Sequence, residues 1–288
     1  MLKQRVLTAL VLAPSAIAAI FYLPLDLFAG LLLLIMSIGA WEWGPLMGFD
    51  QKVRRLLFVL TNVLLISAIW HFLPPQQLWL DKDTLQQPVQ LLLWLSLAWW
   101  ALSAILTFLY PKYSGFWSSH RSVRGIFGWL TLVPTWLAFM VIRSSEYQAD
   151  HYHGAQLLMV LFLMVWSADI GAYFVGKAVG KHKLLPNVSP GKTLEGFFGG
   201  VAFACILVSS AGYIMDWNAK QFAIILLVTA IITTISVLGD LNESMFKRQA
   251  GIKDSGSILP GHGGILDRID SLTATAPIFA LCYALIGW

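Results

Sequence analysis

Between Ser244 and Asp270 the chain gathers four cations, Lys247, Arg248, Lys253 and Arg268, and three carboxylates, Asp254, Asp267 and Asp270. One imidazole, His262, stands among Gly261, Gly263 and Gly264. Cations of this kind hold phosphate oxygens, and carboxylates hold a hard metal that bridges them. Glycines beside the histidine let the backbone approach a ligand closely, with N–H groups free to face an anion. Phosphoryl or nucleotidyl transfer is the chemistry that suits all three features.

Residues upstream can join this group if helices carry them. On a helix continuing through 240–248, Asp240, Ser244 and Lys247 share a face at i, i+4 and i+7, and Arg248 follows Ser244 at i+4. Asp267 and Asp270, at i and i+3, share a face if a helix starts near Leu266. Asp169 lies inside an apolar run, with Tyr173 at i+4. An ionised carboxylate at that depth needs a partner or a metal. The segment Ser189-Pro190-Gly191-Lys192-Thr193 reads as a helix start, with Ser189 as N-cap and Pro190 at the first helical position. Free N–H groups and the helix dipole there also suit an anion. It is not a Walker A loop, because Pro186 stands where the first glycine belongs.

The order Ser244, Lys247-Arg248, Lys253-Asp254, Pro260-x-His262-Gly263-Gly264, Asp267-Arg268-x-Asp270 resembles the signature of the phosphatidate cytidylyltransferases, also called CDP-diacylglycerol synthases. Twelve positions in one window carry the likeness, which extends along the whole chain. The resemblance implies transfer of a cytidylyl group from CTP to phosphatidate, giving CDP-diacylglycerol and pyrophosphate. It implies Lys247, Arg248, Lys253, His262, Asp267 and Arg268 as catalytic residues. Ser189, Lys192, Thr193, Ser244, Gly263, Gly264 and Asp270 are expected to bind or orient substrate, and Asp267, Asp240 and Asp169 to hold metal. Magnesium suits the all-oxygen ligands. The family also suggests a second cation, a monovalent one such as K+, and a homodimer. CTP, phosphatidate and membrane lipid are the expected partners; nucleic acid is not. The phosphate monoester nucleophile is already charged, so positioning and charge stabilisation should carry most of the rate. His262 is then a phosphate contact or a proton donor to pyrophosphate as readily as a base.

The elements that position these residues must lie in a membrane. Of 288 residues 58% are hydrophobic and 12% charged, against about 25% charged in soluble domains. That rules out a soluble fold, which could not hide so much apolar surface. The expectation is an all-α polytopic membrane protein of about nine spans, each near the ~20 residues a bilayer requires. The spans fall at roughly 6–25, 26–48, 55–73, 88–110, 124–143, 156–178, 193–215, 221–243 and 271–288. Residues 1–150 form an N-terminal group of about five helices, and residues 151–288 form the catalytic helices with their loops. Cys205 and Cys282 lie in apolar runs and read as packing residues.

With the N-terminus inside, sixteen of the nineteen Lys and Arg fall on the cytoplasmic side, leaving Lys82, Arg143 and Lys220 outside. The positive-inside rule thus predicts a cytoplasmic N-terminus, an outer C-terminus and a signature loop facing the cytoplasm of an inner-membrane protein. Glu42, late in an apolar run, is a functional candidate as a carboxylate in lipid, but Trp41, Trp43 and the nearby Gly44-Pro45 favour an interface residue that reaches headgroup water. Gly196, Gly200 and Ala204 suggest close helix packing. A transporter would repeat midplane polar residues in two halves, and no such repeat is seen. The Asp-Gly-x-x-Ala-Arg signature of CDP-alcohol phosphatidyltransferases is absent.

Overall fold

Long apolar runs have one way to satisfy their backbone in lipid, which is to coil into helices. The computed structural model describes residues 2–214 and 216–287, with side chains at all of these but 2–7 and 9. Its helices are α1 (Leu2–Tyr22), α2 (Leu25–Leu46), α3 (Lys52–Phe72), α4 (Gln87–Leu109), the single turn α5 (Gly115–Ser118), α6 (Arg121–Ser144), α7 (His153–Val179), α8 (Leu194–Ile214), α9 (Ala219–Gln249) and α10 (Leu266–Ile286). Eight of these are long and apolar enough to cross a membrane. The first expected span is represented by α1, whose shorter apolar stretch is Leu10–Tyr22. The chain is a multi-pass, all-α membrane protein.

Helices α6 and α10 are the most deeply buried, and α3 and α8 the least. Indole N–H groups fasten the N-terminal helices together: Trp136 donates to the Ala29 carbonyl at 3.0 Å and Trp43 to the Arg124 carbonyl at 2.9 Å. Thr135 of α6 donates to the Thr273 carbonyl of α10 at 3.1 Å, tying the two core helices. Phe246 of α9 is fully buried against Trp43 and Trp117, with ring centroids at 5.2 and 5.1 Å. Aromatic side chains of the first half therefore seat the part of α9 that carries Lys247 and Arg248.

Small residues bring α7 and α8 together, as the glycine spacing predicts. A Cβ at Gly200 would meet the Ala168 carbonyl oxygen at 2.6 Å, and one at Gly196 the Ala172 carbonyl at 2.9 Å. Between these helices the chain departs from expectation. Residues 189–193 do not open a helix; β2 (Ser189–Thr193) pairs antiparallel with β1 (Lys183–Leu185) in a short hairpin. The helix starts at Leu194, and Thr193 Oγ1 accepts from the Gly196 N–H at 3.1 Å. Thr193 is thus the capping residue that Ser189 was expected to be.

Candidate active site

A cavity of about 1240 Å³ opens between α1, α2, α7, α8, α9 and α10. Its polar end is lined by Asp169, Lys192, Thr193, Asp240, Lys247, Asp254, His262, Asp267, Arg268 and Asp270. Its other end is apolar, walled by side chains such as Leu12, Ala16, Leu34 and Phe162. Residues spread over a hundred positions of sequence therefore meet in one chamber with a charged head and a greasy tail.

Two seams build the polar end. In the first, α9 runs unbroken to Gln249, so Asp240, Ser244 and Lys247 share a face as their spacing predicts. Lys247 Nζ lies 2.7 Å from Asp267 Oδ1 of α10 and 3.2 Å from Glu243 Oε1. The other Asp267 oxygen accepts from the backbone N–H groups of Ser255, at 2.9 Å, and Gly264, at 2.8 Å. Asp267, expected to hold metal, thus has both oxygens engaged by protein donors. Lys247, expected at phosphate, is held between two carboxylates with little exposure.

In the second seam the hairpin leans on α9. Lys192 Nζ sits 2.6 Å from Asp240 Oδ2, with both side chains partly open to the cavity. Ser244 Oγ donates to Asp240 Oδ1 at 3.2 Å. Arg248 Nε donates to the Val188 carbonyl at 3.3 Å, supporting the hairpin from below. Glu195 ties its base, accepting from Lys181 N–H at 3.0 Å and pairing with His182 Nδ1 at 2.6 Å. Ser189 lies in β2 and does not line the cavity.

The signature loop presents its histidine by a tight turn. His262 N–H donates to the Leu259 carbonyl at 2.9 Å, closing a turn with Pro260 second and Gly261 third. Gly261 has φ +76°, which a type II turn requires at that place. Gly263, at φ +83°, brings its backbone so close that a Cβ would meet Asp267 Oδ2 at 2.7 Å. The His262 Nδ1 is buried with no hydrogen-bond partner among the described residues, on a side chain that lines the cavity. Arg268 also lines the cavity and is exposed there. Among the described residues, neither the Arg268 nor the Lys253 side chain makes a hydrogen bond or ion pair, although Arg268 is near enough to Asp169 for their charges to interact. Lys253 is exposed but off the cavity wall.

Of the two readings of Glu42, the favoured interface reading is overturned. The side chain does not reach headgroup water; it is 2% exposed and points into the protein. Its carboxylate accepts from Leu266 N–H at 2.8 Å, Ile265 N–H at 3.1 Å and Ser255 Oγ at 3.2 Å. A lone glutamate late in an apolar run carries no signal of which distant backbone it will meet.

Among the described residues no three Asp, Glu, His or Cys side chains converge to hold a metal by themselves. Asp169, Asp240 and Asp270 nevertheless put an all-oxygen set on the cavity wall. Magnesium commonly takes one or two carboxylates and completes its shell with water and substrate phosphates. These residues fit an ion that arrives with a nucleotide.

Comparison with known proteins agrees with the signature. Residues 3–286 match the model of the Cytidylyltransferase family. A phosphatidate cytidylyltransferase of Pseudomonas aeruginosa is 42% identical over 288 residues, 100% of this chain and 99% of the relative. One from Haemophilus influenzae is 42% identical over 98% of this chain and 99% of its own length. One from Staphylococcus aureus is 46% identical over 142 residues, 49% of this chain and 52% of the relative.

Proposed function

The chain belongs to the Cytidylyltransferase family, and we propose that it transfers a cytidylyl group from CTP to phosphatidate in phospholipid biosynthesis. The observation that carries this reading is the chamber itself, whose wall joins a cluster of cations and carboxylates to a long apolar surface. A nucleotide triphosphate needs the first, and a two-chain lipid phosphate needs both.

A phosphate oxygen of phosphatidate attacks the α-phosphorus of CTP. A bond forms there, the bond to the bridging oxygen between the α- and β-phosphorus breaks, and pyrophosphate leaves with that electron pair. Two polyanions must be brought together, so cations do the main work. Lys192 can exchange Asp240 for a phosphate oxygen, since the pair is half-open to the cavity. Arg268 points a planar fork at the same space and suits phosphate bidentately. His262 offers its buried nitrogen to a phosphate oxygen or to departing pyrophosphate. Lys247 and Asp267 hold the frame in which Arg268 and Asp270 are presented. Asp240 and Asp169 would hold magnesium, with Asp270 beside them. Bound there, the ion would neutralise charge on the nucleotide phosphates. The monovalent cation and the homodimer belong to this reading on the family likeness alone.

The division of cations supports a cytoplasmic N-terminus and a site on the cytoplasmic face of an inner membrane, where CTP is available. Purified protein should release pyrophosphate only when CTP and phosphatidate are both present. Release from CTP alone, or none with both, contradicts the reading.

A further inference from the structure

Helix α10 carries Asp267, Arg268 and Asp270 in its first turns, so the place of its N-terminus sets the place of all three. The first N–H groups of a helix have no partner within it. Helix α9 solves this locally: Asn218 Oδ1 accepts from Gln221 N–H and Gln221 Oε1 from Asn218 N–H, both at 3.0 Å. Helix α10 has no such device, because Ile265 occupies its N-cap and offers no side-chain acceptor. At its start, Glu42 takes the N–H groups of Leu266, the first helical residue, and of the N-cap Ile265, while Asp267 takes that of Gly264 in the preceding loop.

We propose that Glu42 is a positioning residue of the active site, which caps α10 from across the bundle and fixes the signature loop against it. The chemistry it serves rests on the cytidylyl-transfer reading. Glu42 does not line the large cavity, so it acts through the residues it holds. Ser255 is the link: its Oγ donates to Glu42 and its N–H to Asp267. One closed network thus joins α2, the loop and the start of α10.

The loop is shaped to admit this carboxylate. A Cβ at Gly256 would run into Glu42 Oε1, and one at Gly264 would meet Glu42 Oε2 at 2.5 Å. Glutamine is a poor substitute, since two carboxylate oxygens serve three donors and an amide offers only one oxygen. A negative charge at the first turn also suits the helix dipole. Loss of that hold lets α10 drift, and a misplacement of about 1 Å can cost about 100-fold in rate.

The test uses the full chain. Glu42→Gln is expected to lower kcat about 30- to 100-fold, with KM for phosphatidate within about 2-fold and a cooperative melt retained. A double-mutant cycle reads the contact directly. Gly256→Ala should cost about 10-fold or more in kcat when Glu42 is present, and clearly less beside the shorter side chain of Glu42→Asp. A spin label at Ser257→Cys, with Cys205 and Cys282 replaced by alanine, should become more mobile in Glu42→Gln. Unchanged kcat in Glu42→Gln, an equal cost of Gly256→Ala in both backgrounds, or an unaltered label spectrum would overturn the proposal. If the wild-type chain itself releases no pyrophosphate, the cytidylyl reading fails, and the label still decides whether Glu42 holds the loop.

Discussion

Two lysine–aspartate pairs face the same cavity from opposite seams, and they are built to different ends. Lys247–Asp267, between α9 and α10, has side chains 10% and 5% exposed. Two backbone N–H groups and Glu243 complete its surroundings. Lys192–Asp240, between the hairpin and α9, has side chains 25% and 33% exposed. Both are short, at 2.7 and 2.6 Å, so distance does not separate them. Burial does. A buried pair cannot part without leaving a charge unsolvated, whereas a half-open one can trade its partner for a ligand. On the proposed reading the first seam is a frame, and the second is where substrate phosphate and metal enter.

Removing metal should have the largest effect on turnover and the smallest on the frame. Chelation is expected to abolish pyrophosphate release and added magnesium to restore it, with no change in the thermal melt. Turnover indifferent to chelator would take Asp240 and Asp169 out of a metal role. Asp267→Asn comes next and should strike both properties. Breaking a buried pair costs about 3–5 kcal/mol of stability, and kcat should fall at least about 100-fold as α10 loses its hold on the loop. Denaturation in detergent, followed alongside activity, reads the two together. Wild-type stability in this variant would erase the contrast between the seams.

Lys192→Met probes the open pair. Its loss should lower kcat/KM by about 10- to 100-fold, the worth of one charge-assisted phosphate contact. Stability should move by no more than about 1 kcal/mol, as for other exposed pairs. A near-normal kcat/KM would remove the hairpin from the site. Smallest is Arg248→Ala, which takes away the hydrogen bond to Val188 that supports the hairpin. A rise in KM for CTP of about 5-fold, with kcat nearly unchanged, is the expected result.

Much of this was open to reading in the sequence, because it rests on period and type. Apolar runs of bilayer length give the helices, glycine spacing gives the α7–α8 contact, and the i, i+4, i+7 pattern gives the Asp240 face. The gathering of Asp169, Lys192, Asp240 and Arg268 at one cavity follows from the signature and its neighbours. What stayed hidden depends on which partners the folded chain brings together, some near in sequence and some far. Ser189-Pro190 has the letters of a helix cap, yet pairing with 183–185 makes a strand of it. Asp267 has the letters of a metal ligand, and the bonds it also accepts from Lys247, Ser255 and Gly264 are not written in them. Glu42 finds its donors more than two hundred residues away. No local pattern encodes such meetings.

The central claim is that this chamber moves the α-phosphorus of CTP onto a lipid phosphate. The fate of labelled phosphorus tests it most directly. Purified protein is given phosphatidate and CTP carrying radioactive phosphorus at either the α or the γ position. The account predicts that the α label enters the lipid fraction and the γ label leaves as pyrophosphate. A γ label in the lipid, or an α label that stays wholly in water, would contradict it.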